Sequence, residues 1–239
     1  MAEKIQGLVI RNIRHSDNIS VISVYSPVRG RIACVLRTSS GRTGKVPVLP
    51  LSLIEGNISS SQSSSLPRIS AVSVYGSFPG ISCNPAKSAV AIFILDFLDK
   101  LLVDTPPDEG LYNYLTGSIA LFDRMKSGWA DFHIVLLSSL THFLGVQPDI
   151  SGWNISGIFD MRAGEYSSSF PGHRDILTGD EARIPYLLSR INYRNSYLLH
   201  LSGQQRMRII EGLLKYYSIH LPGVSEVRSH KILSSVFSR

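Results

Sequence analysis

Cysteine is nearly missing from this chain: Cys34 and Cys83 are the two that its 239 residues contain. A disulfide framework needs more. Neither has a partner at C-x-x-C spacing, so a metal site built from cysteine is excluded by count. Cys34 alternates with Ile32 and Leu36 and reads as a small buried hydrophobe. Apolar runs long enough to span a bilayer are missing too. Ala89 to Val103 carries Asp96, Asp99 and Lys100. Phe132 to Val146 has no formal charge, but it makes only about four helical turns and holds His133, Ser138, Ser139, Thr141 and His142, too short and too polar to cross. Met1 to Lys4 is polar and opens no signal peptide. Together these predict a cytoplasmic protein that meets no membrane.

The marks of catalysis are scarce as well. There is no G-x-S-x-G elbow. "GRTGKV" at Gly41 to Val46 fails as a phosphate loop: Ser39 stands where a glycine is required, and Val46 stands where a hydroxyl would hold magnesium. A basic turn is the better reading. His133 and His142 are nine apart, not at the i, i+4 spacing that would let one helix present both to a metal. Asp96 and Asp99 pair more simply with Lys100 than with a substrate. We therefore expect no enzyme, no cofactor and no metal.

Negative charge is scarce in one place only. Residues 1–80 carry nine basic groups against three acidic ones, Glu3, Asp17 and Glu55, whereas residues 81–239 carry fifteen of each. The whole net charge of +6 sits in the first third. Arg29, Arg31, Arg37, Arg42 and Lys45 follow one another between Ser26 and Pro47 without a carboxylate, and Arg11 and Arg14 precede them. A polyanion-binding module joined to a neutral one has this footprint. Cations along strands track a phosphate backbone and do not read bases, so these seven residues are the candidate nucleic-acid site. Tyr25 is either a stacking surface for bases or a core residue, the second being preferred.

The first 80 residues pattern as short strands: Ile5–Ile13, Ile19–Tyr25, Arg31–Arg37, Val46–Ile54 and Arg68–Tyr75, with the Ser-rich "GNISSSQSSSLP" as a hairpin tip. Five strands with turn signals and no long helix predict a small barrel of the OB type. At Asn84 the pattern becomes helical. Asn84 caps a helix with Pro85 at its first position, and Ala86 to Val103 is apolar on nearly all sides. Asp108 to Met125 and Trp129 to Leu144 are further helices. Ser151 to Gly179 is an irregular insertion with one hairpin turning at Ala163–Gly164. Ser202 and Gln205 form a capping box before an apolar stripe of Met207, Ile210, Leu214, Tyr217 and Leu221. Ser229 caps a last helix to Phe237. The expected architecture is α+β: an OB-fold nucleic-acid-binding domain over 1–80 and an α-helical domain over 81–239, hinged near Phe78 to Pro85.

"RHSDNISVISVYSPVRGRIACVLR", Arg14 to Arg37, resembles the opening of the RecO family of DNA repair and recombination mediators. "LPLSLIEG" and "PRISAVSVYGSFPGI" resemble the later strands of its barrel, and "LLKYYSIHLPGVSEVRSHKIL" resembles the end of its helical domain in a form like that of Bacteroidetes members. The resemblance implies an N-terminal OB-fold and a helical C-terminal domain. It implies binding to single- and double-stranded DNA, annealing of complementary strands, and help in loading the recombinase RecA onto DNA coated with single-strand binding protein. It implies RecR as a partner, RecF in some members, and association with the nucleoid. Many members carry a four-cysteine zinc motif in the helical domain; Ser151 to Gly179 has no cysteine, so zinc is not expected. Members with a binding site for the single-strand binding protein tail place basic residues before a Phe matching Phe132, where this chain has Trp129-Ala130-Asp131. An OB-fold protein acting on RNA is the rival reading, and a hydrolase with a basic groove is the rival from the enzyme class.

Overall fold

The computed structural model of the chain describes residues 2–37, 47–59, 65–153, 157–224 and 227–237. It forms two compact units, Met1–Arg124 and Met125–Arg239. In the first, five strands close into a barrel in the order β1-β2-β3-β5-β4: β1 Glu3–Ser16, β2 Ile19–Ser26, β3 Gly30–Arg37, β4 Leu53–Ser59 and β5 Arg68–Gly76. Every pairing is antiparallel except β3 with β5, which run parallel through Val35↔Arg68 and Leu36↔Ile69. This is the OB-fold, followed by helices, and the fold class is α+β.

Period-two alternation fills the barrel. Ile5, Val9, Ile22, Val24, Cys34, Leu36, Ile54, Ile58 and Ile69 point inward and form its core. Gly7 shares their face because nothing larger fits: a Cβ there would lie 2.2 Å from Val24 Cγ1 and 2.8 Å from the Tyr25 carbonyl.

Part of the outer face is a second core. Leu8, Ile10 and Tyr25 are fully buried on it. Gly7 to Ile10 are buried in succession because both faces of β1 are covered there, and a register shift follows between Val9 and Arg11. Helix α2 (Pro85–Leu101) packs against β1, and the rings of Tyr25 and Tyr112 lie 6.4 Å apart, Tyr112 belonging to α3 (Glu109–Arg124). Tyr25 is thus buried and offers no stacking surface. The cap at the start of α2 is as expected: Asn84 Oδ1 accepts from Ala86 N at 3.0 Å and Lys87 N at 3.2 Å, with Pro85 following.

One expectation needs correction. The fourth strand is not Val46–Ile54 but Leu53–Ser59. Pro47 and Pro50 have no N–H to give a ladder, whereas Ile54, Gly56 and Ile58 alternate inward. A third of the Ser-rich tip, Gly56 to Ser59, is therefore strand, and residues 60–64 of it lie outside the described residues. The segment Phe78 to Pro85, where the hinge is expected, has regular structure of its own. It holds a one-turn helix, α1 (Pro79–Ser82), whose Ile81 N–H donates to Asp123 Oδ1 at 2.9 Å. Lys87, 4% exposed, closes the same corner by donating to the carbonyls of Phe122 (2.8 Å) and Asp123 (3.0 Å) at the end of α3.

The second unit is built on α4 (Phe132–Phe143), which follows a 3-10 turn over Trp129–Asp131 and stops at Gly145, φ 68°. A three-stranded sheet, β6 Ile158–Asp160, β7 Glu165–Ser167 and β8 Ile176–Leu177, occupies the irregular insertion, and its hairpin turns at Gly164 as expected. Helix α5 is Ile184–Ser189, α6 is Gly203–His220 and α7 is His230–Phe237. The capping box of Ser202 and Gln205 is formed. On α6, Ile210 and Tyr217 are buried as the stripe predicts, joined by Ile209 and Tyr216.

Candidate nucleic-acid interface

The seven candidate cations stand in three different situations. The first is a shared ion pair with Asp99 of helix α2, in which Arg31 is largely covered and Arg11 stays exposed. Asp99 accepts from Arg11 Nη1 at 3.1 Å and also from Arg31. Arg31 and Asp99 keep only 20% and 16% of their side-chain surface in solvent. The register explains the meeting: Arg11 faces Ser23 across β1 and β2, and Arg31 reaches Ser23 from β3 at 3.5 Å. No sequence signal announces it, since Asp99 stands 68 residues from Arg31 and reads on its helix as a partner of Lys100. That lysine pairs with Asp96 instead, at 2.9 Å.

The second situation is an exposed ion pair. Arg29 donates to Glu3 through Nε at 3.1 Å and through a second nitrogen, which raises its pKa; Arg14 donates to Asp17 at 2.9 Å. Lys4 pairs with Glu55 at 2.9 Å, and this ammonium, with the Ser73 hydroxyl, lowers the Glu55 pKa. Such pairs are weak, water-screened and easily exchanged for other anions.

The third situation is an exposed guanidinium that no described carboxylate engages. Arg37 closes β3 in this state, and Arg68, which the sequence argument did not single out, opens β5 in the same state. Cys34, Leu36 and Ile69 point into the barrel, so their neighbours Val35, Arg37 and Arg68 point out. Because Val35 faces Arg68 across the parallel pairing, the two arginines project from one outer face at the same end of the barrel. Arg14 lies at this end as well, two strands away through Ser20 and Leu36. Arg42 and Lys45 lie outside the described residues. A signal for Arg68 was in the sequence: "LPRIS" puts it one residue before an inward isoleucine.

Residues 84–228 match the family model for recombination protein O, C terminal. The chain belongs to the RecO family. It is 30% identical to the DNA repair protein RecO of Bacteroides fragilis, over 99% of this chain and the whole of that protein. It is 28% identical to that of Azobacteroides pseudotrichonymphae over 99% of this chain and all of the relative, and 29% identical to that of Phocaeicola vulgatus over the full length of both.

Two expectations drawn from the resemblance concern the second unit. Zinc does not fit the insertion. His173 Nε2 lies 3.2 Å from Asp160 Oδ2, but Asp160 Oδ1 is taken by the backbone N–H groups of Arg162 (2.8 Å) and Ala163 (3.1 Å). The nearby Asp175 is neutralised by Arg162 at 2.7 Å and Lys215 at 2.9 Å. No described group of three His, Cys, Asp or Glu residues comes together anywhere. Burial alone would raise the Asp160 pKa, but those two N–H groups and His173 lower it overall; Lys215 and Arg162 lower that of Asp175. Phe132, which the resemblance compares with a tail-site Phe, is buried and stacked on Tyr193, centroids 4.9 Å apart. The Asp131 before it is also buried, with Arg206 Nε donating to it at 2.6 Å. No described helix is long and apolar enough to cross a membrane.

Proposed function

We propose that this chain is a DNA repair and recombination mediator that holds single- and double-stranded DNA on the outer face of its barrel at the end of β3. On this reading it anneals complementary strands and helps load RecA onto DNA coated with single-strand binding protein. RecR is its protein partner, RecF acts beside it, and it works in the cytoplasm at the nucleoid. It carries out no bond-breaking chemistry.

The observation that carries the proposal is the pair Arg37 and Arg68, exposed side by side on one face without a described counter-charge. Arg14 stands near them in an exchangeable pair, and Arg42 and Lys45 follow Arg37 in sequence. Guanidinium groups offer paired donors to phosphate oxygens. Arg11 and Arg31, held by Asp99, drop out of the DNA-contacting set, and Arg29 joins only by giving up Glu3. The proposed nucleic-acid-binding part is accordingly the barrel of residues 1–80 carried on α1 to α3, and the proposed protein-meeting part is the rest of the helical region.

An annealing assay on complementary strands coated with single-strand binding protein tests this reading. The expected result is annealing well above the protein-free rate, with no cleavage of labelled DNA in magnesium. Annealing at the protein-free rate would overturn it.

A further inference from the structure

The charge balance changes when it is taken by compact unit. Each unit holds twelve basic and nine acidic residues. The excess that 1–80 shows alone is partly cancelled by carboxylates of the α2–α3 region, and the second unit has an excess of its own. That excess is local: from Ile184 to Ile210 there is no Asp or Glu and no Lys, but there are four arginines, Arg190, Arg194, Arg206 and Arg208. Arg206 is engaged by Asp131. Arg190 and Arg194 are exposed and meet no described carboxylate.

Between and beyond these two arginines the chain is held in a fixed turn. Asn195 accepts from the Asn192 N–H at 2.7 Å and donates to the Arg190 carbonyl at 3.1 Å, and Asn192 accepts from the Arg194 N–H at 2.8 Å. Tyr193 and Ser196 anchor it, one stacked on Phe132 and the other buried. What remains points outward: Tyr197 is 60% exposed and Leu198 59%. Arg190 is held too, its guanidinium 4.7 Å from the ring of Tyr186, which is itself stacked on Trp153 at 5.2 Å. An exposed aromatic ring and a stacked planar cation, both pre-positioned, lower the ordering cost of binding.

We propose that the turn from Arg190 to Leu198 is a second site for single-stranded nucleic acid, with Tyr197 stacking on a base and Arg190 and Arg194 holding the flanking phosphates. Every base has a face for a tyrosine ring, so the site is indifferent to sequence. The absence of lysine among its cations fits planar, paired contact with phosphate. The proposal takes from the reading above only that the chain meets nucleic acid. It adds a reason why one chain can anneal: each unit carries its own strand-holding surface.

The test uses the full chain, a fluorescein-labelled oligothymidylate for affinity, and an iodouracil-substituted oligonucleotide for photocrosslinking. Tyr197→Ala is expected to weaken binding about fivefold or more, and Tyr197→Trp to restore it. Arg190→Ala/Arg194→Ala should weaken binding and flatten its salt dependence by roughly 1.4 in log–log slope. Crosslinks in the wild-type chain should map to the peptide containing Tyr197, a readout that needs no variant to fold. The barrel is probed separately by Arg37→Ala/Arg68→Ala. Loss of affinity in that variant alone, with no crosslink at Tyr197, would overturn this proposal, leave the barrel reading standing and assign the turn to a protein partner. Loss confined to the Tyr197 and Arg190/Arg194 variants would support this site and overturn the barrel reading.

Discussion

Arg31 on β3 and Asp99 on α2 form an ion pair that joins the barrel to its first long helix, with Arg11 on β1 sharing the same carboxylate at 3.1 Å. On the proposed reading Arg31 is a structural residue and not a DNA contact. In the strand pattern, Arg31 and Arg37 are equivalent outward-facing residues. In the folded unit, one lies beneath a helix and the other stands in water.

The two arginines should therefore behave differently on substitution. Arg31→Ala removes charge-assisted hydrogen bonds from a mostly buried carboxylate and should destabilise the first unit by about 1–3 kcal/mol, with little change in DNA affinity. Arg37→Ala should leave the melting temperature unchanged and weaken DNA binding. Thermal melts and anisotropy on both variants check this. Equal loss of affinity with equal stability would restore their equivalence.

Where the chain is cut should matter for the same reason. A fragment of residues 1–80 exposes Leu8, Ile10 and Tyr25 and leaves Arg11 and Arg31 without Asp99. A fragment of residues 1–124 keeps them covered. The longer fragment should unfold cooperatively and bind single strands, whereas the shorter one should aggregate or melt broadly. Calorimetry on the two fragments is the check, and a cooperative melt from 1–80 alone would contradict it.

Acid should loosen the second unit through His133. Burial, helped by the charge of Arg206, lowers its pKa to about 3, whereas in the unfolded chain it titrates near its ordinary value of about 6.5. Between these values the unfolded state binds the extra proton, so stability falls as pH drops, by up to about 1.4 kcal/mol per pH unit. Above about 6.5 this group contributes no slope. Denaturant melts at pH 7 and pH 5 should show the loss in the wild type and much less of it in His133→Gln. The same acid slope in both would contradict the assignment.

The insertion should hold without metal. Gly164 turns its hairpin at φ 73°, and a Cβ there would lie 2.8 Å from the Tyr216 hydroxyl, which donates to the Val146 carbonyl at 2.9 Å. Gly164→Ala should cost about 1–3 kcal/mol through backbone strain and that clash. Asp175→Asn, which removes the partner of Arg162 and Lys215, should lower the melting temperature, whereas a chelator should leave it unmoved. A melt that falls on chelation would contradict this account.

Much of the fold was legible because it rests on local chemistry. Asn84 followed by Pro85, the Ser202–Gln205 box and the alternation of Ile32, Cys34 and Leu36 each determine structure within a few residues. The fourth strand is hard to read because Gly56 and Asn57, residues typical of turns, interrupt the alternation of Ile54 and Ile58. The candidate site was legible only in part. Charge counting found Arg37 but could not tell it from Arg31, because the carboxylate that separates them arrives from another element. Arg68 and the turn before Tyr197 went unmarked, the first being a lone cation and the second lying in a stretch whose long-range charge balance was zero.

Single-strand binding measured against salt concentration tests the central claim most directly. If the wild-type chain contacts about four to six phosphates, log affinity against log salt should slope by roughly −3 to −4. Arg37→Ala/Arg68→Ala should flatten that slope by roughly 1.4 and weaken binding equally for all sequences, with its fold intact. A folded double variant with the wild-type slope and affinity would contradict the assignment of this face of the barrel to DNA.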